Sequence, residues 1–317
     1  MRRALLGALV LALPLAAVAQ GYPTKPVRMV LPFTGGADGL ARLVAQKMGE
    51  SMGQPVVTDP VLGAGGAMGA EQVARAAPDG YTFQIAVPGA IVMRQFLSRN
   101  VPYQPLKDFT PITMAATAIA VVVAHPSVKA NSFRELLEQA KAKPGSITFA
   151  STGIGGSDHL AGELVNQLTG AGFVHVPHKS GTDALTNTLS GEVNTKWGVL
   201  ATVIQHMRSG KLKGLAYLSE YRSPAYPDLP FVKDSVPGYQ SPPYWMGYLA
   251  PAGLPEPILK RLHGETVKAL QLADVRQKFE ELGFAVVANS PAEFRVQLQS
   301  DLEQVRRVVT AAGIKPE

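Results

Sequence analysis

Three glycine-rich turns, each joining an apolar run to a helix-like pattern, carry most of the chemistry legible in this chain. They read "PFTGGADGLAR" (32–42), "PVLGAGGAMGAE" (60–71) and "STGIGGSDHLAG" (151–162). Glycine lets a backbone turn tightly and bring its N–H groups close to a ligand. A helix N-terminus adds unpaired N–H groups and a partial positive charge. Such a junction suits a carboxylate, phosphate or sulfate without any Lys or Arg. Thr34, Ser151, Thr152 and Ser157 would add hydroxyl donors. Taken singly, each turn reads first as a tight turn with a plain N-capped helix start, with Asp38, Ser157 and Asp158 as capping residues. A carboxylate at position 38 would also repel an anion unless water or a donor intervened.

Enzyme chemistry finds little support in the same residues. "GAGGAM" follows the Gly-x-Gly-x-x pattern, but Met68 stands where Gly or Ala belongs, and "TFQIAVPGA" lacks the acid expected to hold a ribose. Nicotinamide and flavin chemistry are therefore rejected, and no cofactor is expected. No Gly-x-Ser-x-Gly elbow is present. Ser157, Asp158 and His159 are consecutive, so on a helix they diverge by about 100° and cannot form a triad. His175 and His178 stand on a strand-like segment at a spacing that turns them to opposite faces. With no His-Glu-x-x-His helix either, no metal site is expected. Each histidine reads as a hydrogen-bonded structural residue or one polar wall of a pocket. Binding becomes the leading class.

The elements that must position these turns alternate between strand-like and helix-like. "VRMVLPF", "PVVTDP" and "YTFQIAVPG" read as strands separated by helical patterns, the first with Leu40, Leu43, Val44 and Met48 on one face. After a less regular section, "NVPYQPLKDFTPIT", a second set begins with "AIAVVVAHP" and runs through "SITFAST", "GFVHVPH", "NTKWGVL" and "LKGLAYL". This repeat predicts an α/β architecture with parallel pairing and right-handed crossovers, in two lobes with a cleft between them.

The N-terminus, "MRRALLGALVLALPLAAVAQ", has a basic start, a short apolar stretch and a small-residue end at Ala17-Val18-Ala19. It reads as a cleaved export signal over residues 1–19, its apolar run being short of the roughly 20 residues of a spanning helix. The expected compartment is the periplasm. The 317 residues include no cysteine, so stability must come from the core rather than from disulfides. Losing Arg2 and Arg3 with the signal removes two charges from a formal net charge of +6, and the remaining Lys and Arg are scattered. That distribution argues against nucleic acid as a partner.

Seven ordered landmarks give a more specific reading. "YPTKPVRMVLPF" with "GGADGLAR", "GAGGAMGAEQVARAAPDGYT" and "YQPLKDFTPI" are followed by "ELLEQAKAKPGSITFASTGIGGSDHLAGEL" and "HVPHKSGTDALTNTLSGEV". "SGKLKGLAYLSEYRSPAYPDLP" and "GYLAPAGLPEPILKRL" complete the series. Over essentially the whole mature chain, the sequence resembles the substrate-binding proteins of the tripartite tricarboxylate transporters, the Bug-type periplasmic receptors. The resemblance implies a two-lobed periplasmic binding protein fold of type II. Residues 20–120 with 247–317 would form lobe 1 and residues 121–246 lobe 2, joined by a hinge. It also implies a ligand carboxylate held between "PFTGGADG" and "STGIGGSDH", and lobe closure that presents a monomeric receptor to membrane permease subunits.

The binding residues so implied are Phe33, Thr34, Gly35, Gly36, Ala37 and Asp38 from the first jaw, together with Pro88 and Gly89. Ser151, Thr152, Gly153, Ser157, Asp158 and His159 form the second jaw, with His178, Lys179, Ser180, Trp197 and Gly198 at the pocket wall. Three departures from the family pattern bear on specificity. The stretch Pro32–Asp38 is two residues shorter than usual. Trp197-Gly198-Val199 stands where Phe-Asp-Asn is usual, which removes an acid that could face an ammonium. His178 replaces a usual Tyr. With Trp197 free to stack on a ring, these departures favour an aromatic or bulky carboxylate over a small amino dicarboxylate. The expected function is capture of a small organic acid and delivery to the permease, without chemical conversion. A secreted hydrolase using Ser157 or His159, and a receptor that signals rather than transports, are the alternatives.

Overall fold

The apolar runs become strands of two separate sheets in the computed structural model, which describes residues 21–32 and 38–316. The strands are β1 (Val27–Leu31), β2 (Val56–Pro60), β3 (Thr82–Ala86), β4 (Phe109–Ala118), β5 (Ala120–Ala124) and β6 (Thr148–Ser151). They continue with β7 (Val174–Pro177), β8 (Thr195–Val199), β9 (Lys213–Tyr217), β10 (Trp245–Pro251) and β11 (Phe284–Val286). One sheet has the order β11-β4-β10-β3-β1-β2 and the other β7-β6-β8-β5-β9.

Parallel pairing holds for β1 with β2 and β3, and for β6 with β7 and β8. It does not hold throughout. β10 runs antiparallel between β3 and β4, and β5 antiparallel between β8 and β9. β10 brings the chain back from the second sheet to the first, and β4 leaves the first sheet through the single residue Ile119 for β5 in the second. The stretch before it, read from sequence as irregular, supplies the ten-residue strand β4. Pro111 sits where the register with β10 shifts between Tyr248 and Leu249, the kind of irregularity at which a strand tolerates a residue without an N–H.

Helices cover both faces of each sheet. In Phe133–Ala142 the buried residues Phe133, Leu136, Leu137 and Ala140 follow helical spacing, and Ser132 caps the start by accepting from the Glu135 N–H at 3.2 Å. That face meets Val122, Phe149 and Trp197 in the core of the second sheet. Each such large apolar side chain contributes roughly 1.5–3 kcal/mol by leaving water.

The lobes touch through helices. Leu160 of the helix Ser157–Thr169 packs with Met93, Trp245, Phe294 and Leu298 of the first lobe. Gln167 Nε2 donates to the Val308 carbonyl at 3.1 Å, and Gln304 Nε2 to that of Gln240 at 2.7 Å. No helix among the described residues is long and apolar enough to cross a membrane.

Candidate functional site

The third glycine turn opens directly from the C-terminal end of β6, where ligands of open α/β sheets bind. Gly153 and Gly155 have φ of 124° and 75°, which L side chains rarely adopt. Gly155 has a second reason to be glycine. A Cβ there would collide with the Leu97 side chain, on a helix of the other lobe, so the bare backbone admits contact across the lobes.

The helix Ser157–Thr169 starts after Gly156, and no side chain caps it. Ser157 and Asp158, expected as caps, turn elsewhere. Ser157 Oγ donates to the Pro243 carbonyl at 2.7 Å, and Asp158 Oδ1 accepts from the Tyr244 hydroxyl at 3.1 Å. Both bonds tie the helix start to the chain segment leading into β10. The first N–H groups of this helix therefore keep their affinity for an anion.

The histidines assort differently from the sequence expectation. β7 ends at Pro177, so His178 lies in the turn beyond, with its ring nitrogens 2.9 Å from the Val176 carbonyl and 2.8 Å from Asn187 Nδ2. The partner of His175 is His159, stacked at 3.9 Å. His159 Nδ1 accepts the Gly155 N–H at 2.9 Å, which braces the turn. Ser157 and His159 are thus engaged separately and form no dyad. The serine nearest a histidine is Ser151, whose Oγ is 2.6 Å from His175 Nε2, but it is fully buried. That contact pins β6 to β7 rather than exposing a nucleophile.

Burial, then the neighbouring His159 and His178, push the His175 imidazole down from 6.5 to about 4. The unfolded chain therefore binds more protons than the folded one between these values. Stability is full above the unfolded value and falls as pH drops towards the folded one. Because the ring is only half-buried, the loss expected is on the order of 1 kcal/mol. Urea titrations near pH 7 and pH 4.5 should show wild type losing about this much more than His175→Gln.

The remaining expected residues divide clearly. Phe33, Thr34, Gly35, Gly36 and Ala37 lie outside the described residues, as do residues 1–20 with the predicted signal. Asp38 begins the helix Asp38–Met52 and pairs with Arg42 at 3.7 Å. Pro88 is buried after β3, while Gly89 is exposed. Lys179 and Ser180 are exposed, and Ser180 caps the next helix by accepting the Asp183 N–H at 3.1 Å.

Trp197 corrects the sequence reading. It is 0% exposed, held among Phe133, Phe149 and Phe173, with its indole N–H on Thr195 Oγ1 at 3.1 Å. It cannot stack on a ligand ring. Strand alternation puts Gly198 and Lys196 on the other face of β8. A Cβ on Gly198 would lie 2.9 Å from Lys196 Nζ and 3.0 Å from Asp158 Oδ2. Lys196 was missed by sequence reasoning, although alternation does place it on one face with Gly198. Burial pushes the Asp158 carboxyl up and the Lys196 ammonium down, each partly offset by the other's charge.

Two α/β lobes meeting at the turn that carries an uncapped helix start define a solute-binding protein of the periplasmic type. Residues 40–314 match the model of the tripartite tricarboxylate transporter family receptors, and the chain belongs to that family. The chain is 33% identical to protein BugT of Bordetella pertussis, with 94% of this chain and 92% of BugT covered. The solved structure of the periplasmic binding protein BugD is 31% identical with a TM-score of 0.72, covering 93% of this chain and all (100%) of that one. Rpa4515 of R. palustris, solved with adipate, is 29% identical with a TM-score of 0.77, over 93% and 100% of the two chains. These are receptors, not enzymes.

Proposed function

We propose that this protein is exported to the periplasm, captures a small organic acid between its lobes without converting it, and presents it to the permease of a tripartite transporter. The observation that carries the reading is the uncapped helix start at Ser157, set behind a glycine turn that touches Leu97 of the opposite lobe. In this reading the turn residues 152–158 hold the carboxylate, and residues 34–38 supply the opposing jaw. The lobes divide near residues 120 and 246, and closure bends the two chain crossings there. The adipate in a relative of the same fold supports a carboxylate. An aromatic acid loses its favour, because the ring meant to stack on it belongs to the core.

A thermal-shift panel of organic acids on the mature protein tests this. A ligand at a hundredfold excess over its Kd stabilises the folded state by about 2.7 kcal/mol, which moves Tm by several degrees. Calorimetry with the best acid should show binding with no product formed. Neutral ligands binding while every carboxylate fails would overturn the anion assignment. Turnover of an ester panel would restore the hydrolase alternative. Loss of acid uptake on deleting the gene, with restoration by the wild-type copy, separates transport from signalling.

A further inference from the structure

Among the described residues the buried ammonium of Lys196 has few partners. It stands on β8, the central strand of the second sheet, and is 2% exposed. Among the described residues its only hydrogen bond is a long one, 3.4 Å to Thr202 Oγ1, beyond the usual range for N–H···O. Thr202 Oγ1 in turn donates to the Val199 carbonyl at 2.8 Å. An ammonium carries three donors, so among the described residues most of its hydrogen-bonding capacity is unused. The nearest carboxylate, Asp158, is held by Tyr244 at 3.1 Å and Thr152 at 3.4 Å and makes no direct ion pair with Lys196.

The position of the ammonium says what would complete it. The side chain runs along β8 over the bare backbone of Gly198 to the C-terminal edge of the sheet, as the 2.9 Å approach of Nζ to a Cβ on Gly198 shows. At that edge stand the exposed Thr152 and Thr202, with the uncapped helix start beside them. The ammonium therefore underlies the turn that meets the other lobe at Leu97, where an incoming acidic oxygen would meet a charge, hydroxyls and backbone N–H groups together. Charge-assisted hydrogen bonds of this kind are about twice as strong as neutral ones.

We propose that Lys196 is the specificity-determining residue of the site: its ammonium pairs with an acid group of the bound ligand above Gly198, and a ligand that places an amide or an ammonium there is rejected. The inference rests on the receptor reading above and deepens it by naming the group that selects the ligand. Asp158 balances Lys196 at a distance in the empty site, and Tyr244 and Thr152 keep that carboxylate from closing onto the ammonium.

A chemical cycle tests the pairing. Dissociation constants are measured by calorimetry on the mature protein for adipate, for its monoamide, and for malate and its monoamides, with wild type and Lys196→Met. Replacing the recognised carboxylate by carboxamide should weaken binding to wild type at least tenfold. The penalty should vanish in Lys196→Met, which binds acid and amide alike and both weakly. An equal amide penalty in the two proteins overturns the inference and leaves the receptor reading standing. Failure of wild type to bind any acid overturns both. Should Lys196→Met fail to fold with Asp158 left unbalanced, the double variant K196M/D158N removes both charges, and the same loss of the amide penalty is expected there.

Discussion

Trp197→Ala should lower the stability of the protein by about 3–5 kcal/mol, the cost of a large cavity in a packed core. The side chain is fully buried and is met by three phenylalanines, at centroid distances of 5.9, 5.1 and 5.6 Å for Phe133, Phe149 and Phe173. None of these rings belongs to the cleft, so nothing nearby can collapse cheaply into the space. Trp197→Phe keeps most of the contacts and should fold with a smaller loss. Urea unfolding gives the stabilities, and calorimetry with an acid ligand gives the affinity. A core role predicts that Trp197→Phe leaves the affinity within about twofold, a shift of under half a kcal/mol. A tenfold loss of affinity in a stable Trp197→Phe would return the indole to the ligand.

Gly198→Val should be nearly as costly, for a different reason. Its φ of 150° disfavours a side chain, and a Cβ would meet the Lys196 ammonium at 2.9 Å and the Asp158 carboxylate at 3.0 Å. Backbone strain and overpacking each cost about 1–3 kcal/mol, so roughly 2–6 kcal/mol is expected in total. Gly198→Ala should show the same sign and a smaller loss. Both should also weaken acid binding, because the added atoms occupy the space beside the ammonium. A Gly198→Val protein as stable as wild type would mean that Lys196 and Asp158 move aside freely, contrary to their burial.

The pattern of what was legible follows from the range of the forces involved. Hydrophobic periodicity and glycine punctuation are local, and they correctly placed β1, β2, β3, β6 and the helix Ser157–Thr169. β4 and β10 were obscured because Pro111 and the mixed composition of "WMGYLAPAGLP" hide strands whose partners lie far along the chain. The same limit governs the site. Ser157 and Asp158 have the composition of caps, yet each bonds a residue 86 positions away. A local preference worth about 1 kcal/mol yields to such tertiary partners.

By itself the sequence determined the α/β alternation, the glycine turn at Ser151–Gly156 and the family, because each is written in short windows of residue types. Only the tertiary structure decided that β8 turns Trp197 into the core and Lys196 with Gly198 towards Asp158. Alternation along a strand divides its two faces but does not say which one a helix will cover. That choice is made where β8 meets β5 and β6, and it set an ammonium rather than an indole beside the turn.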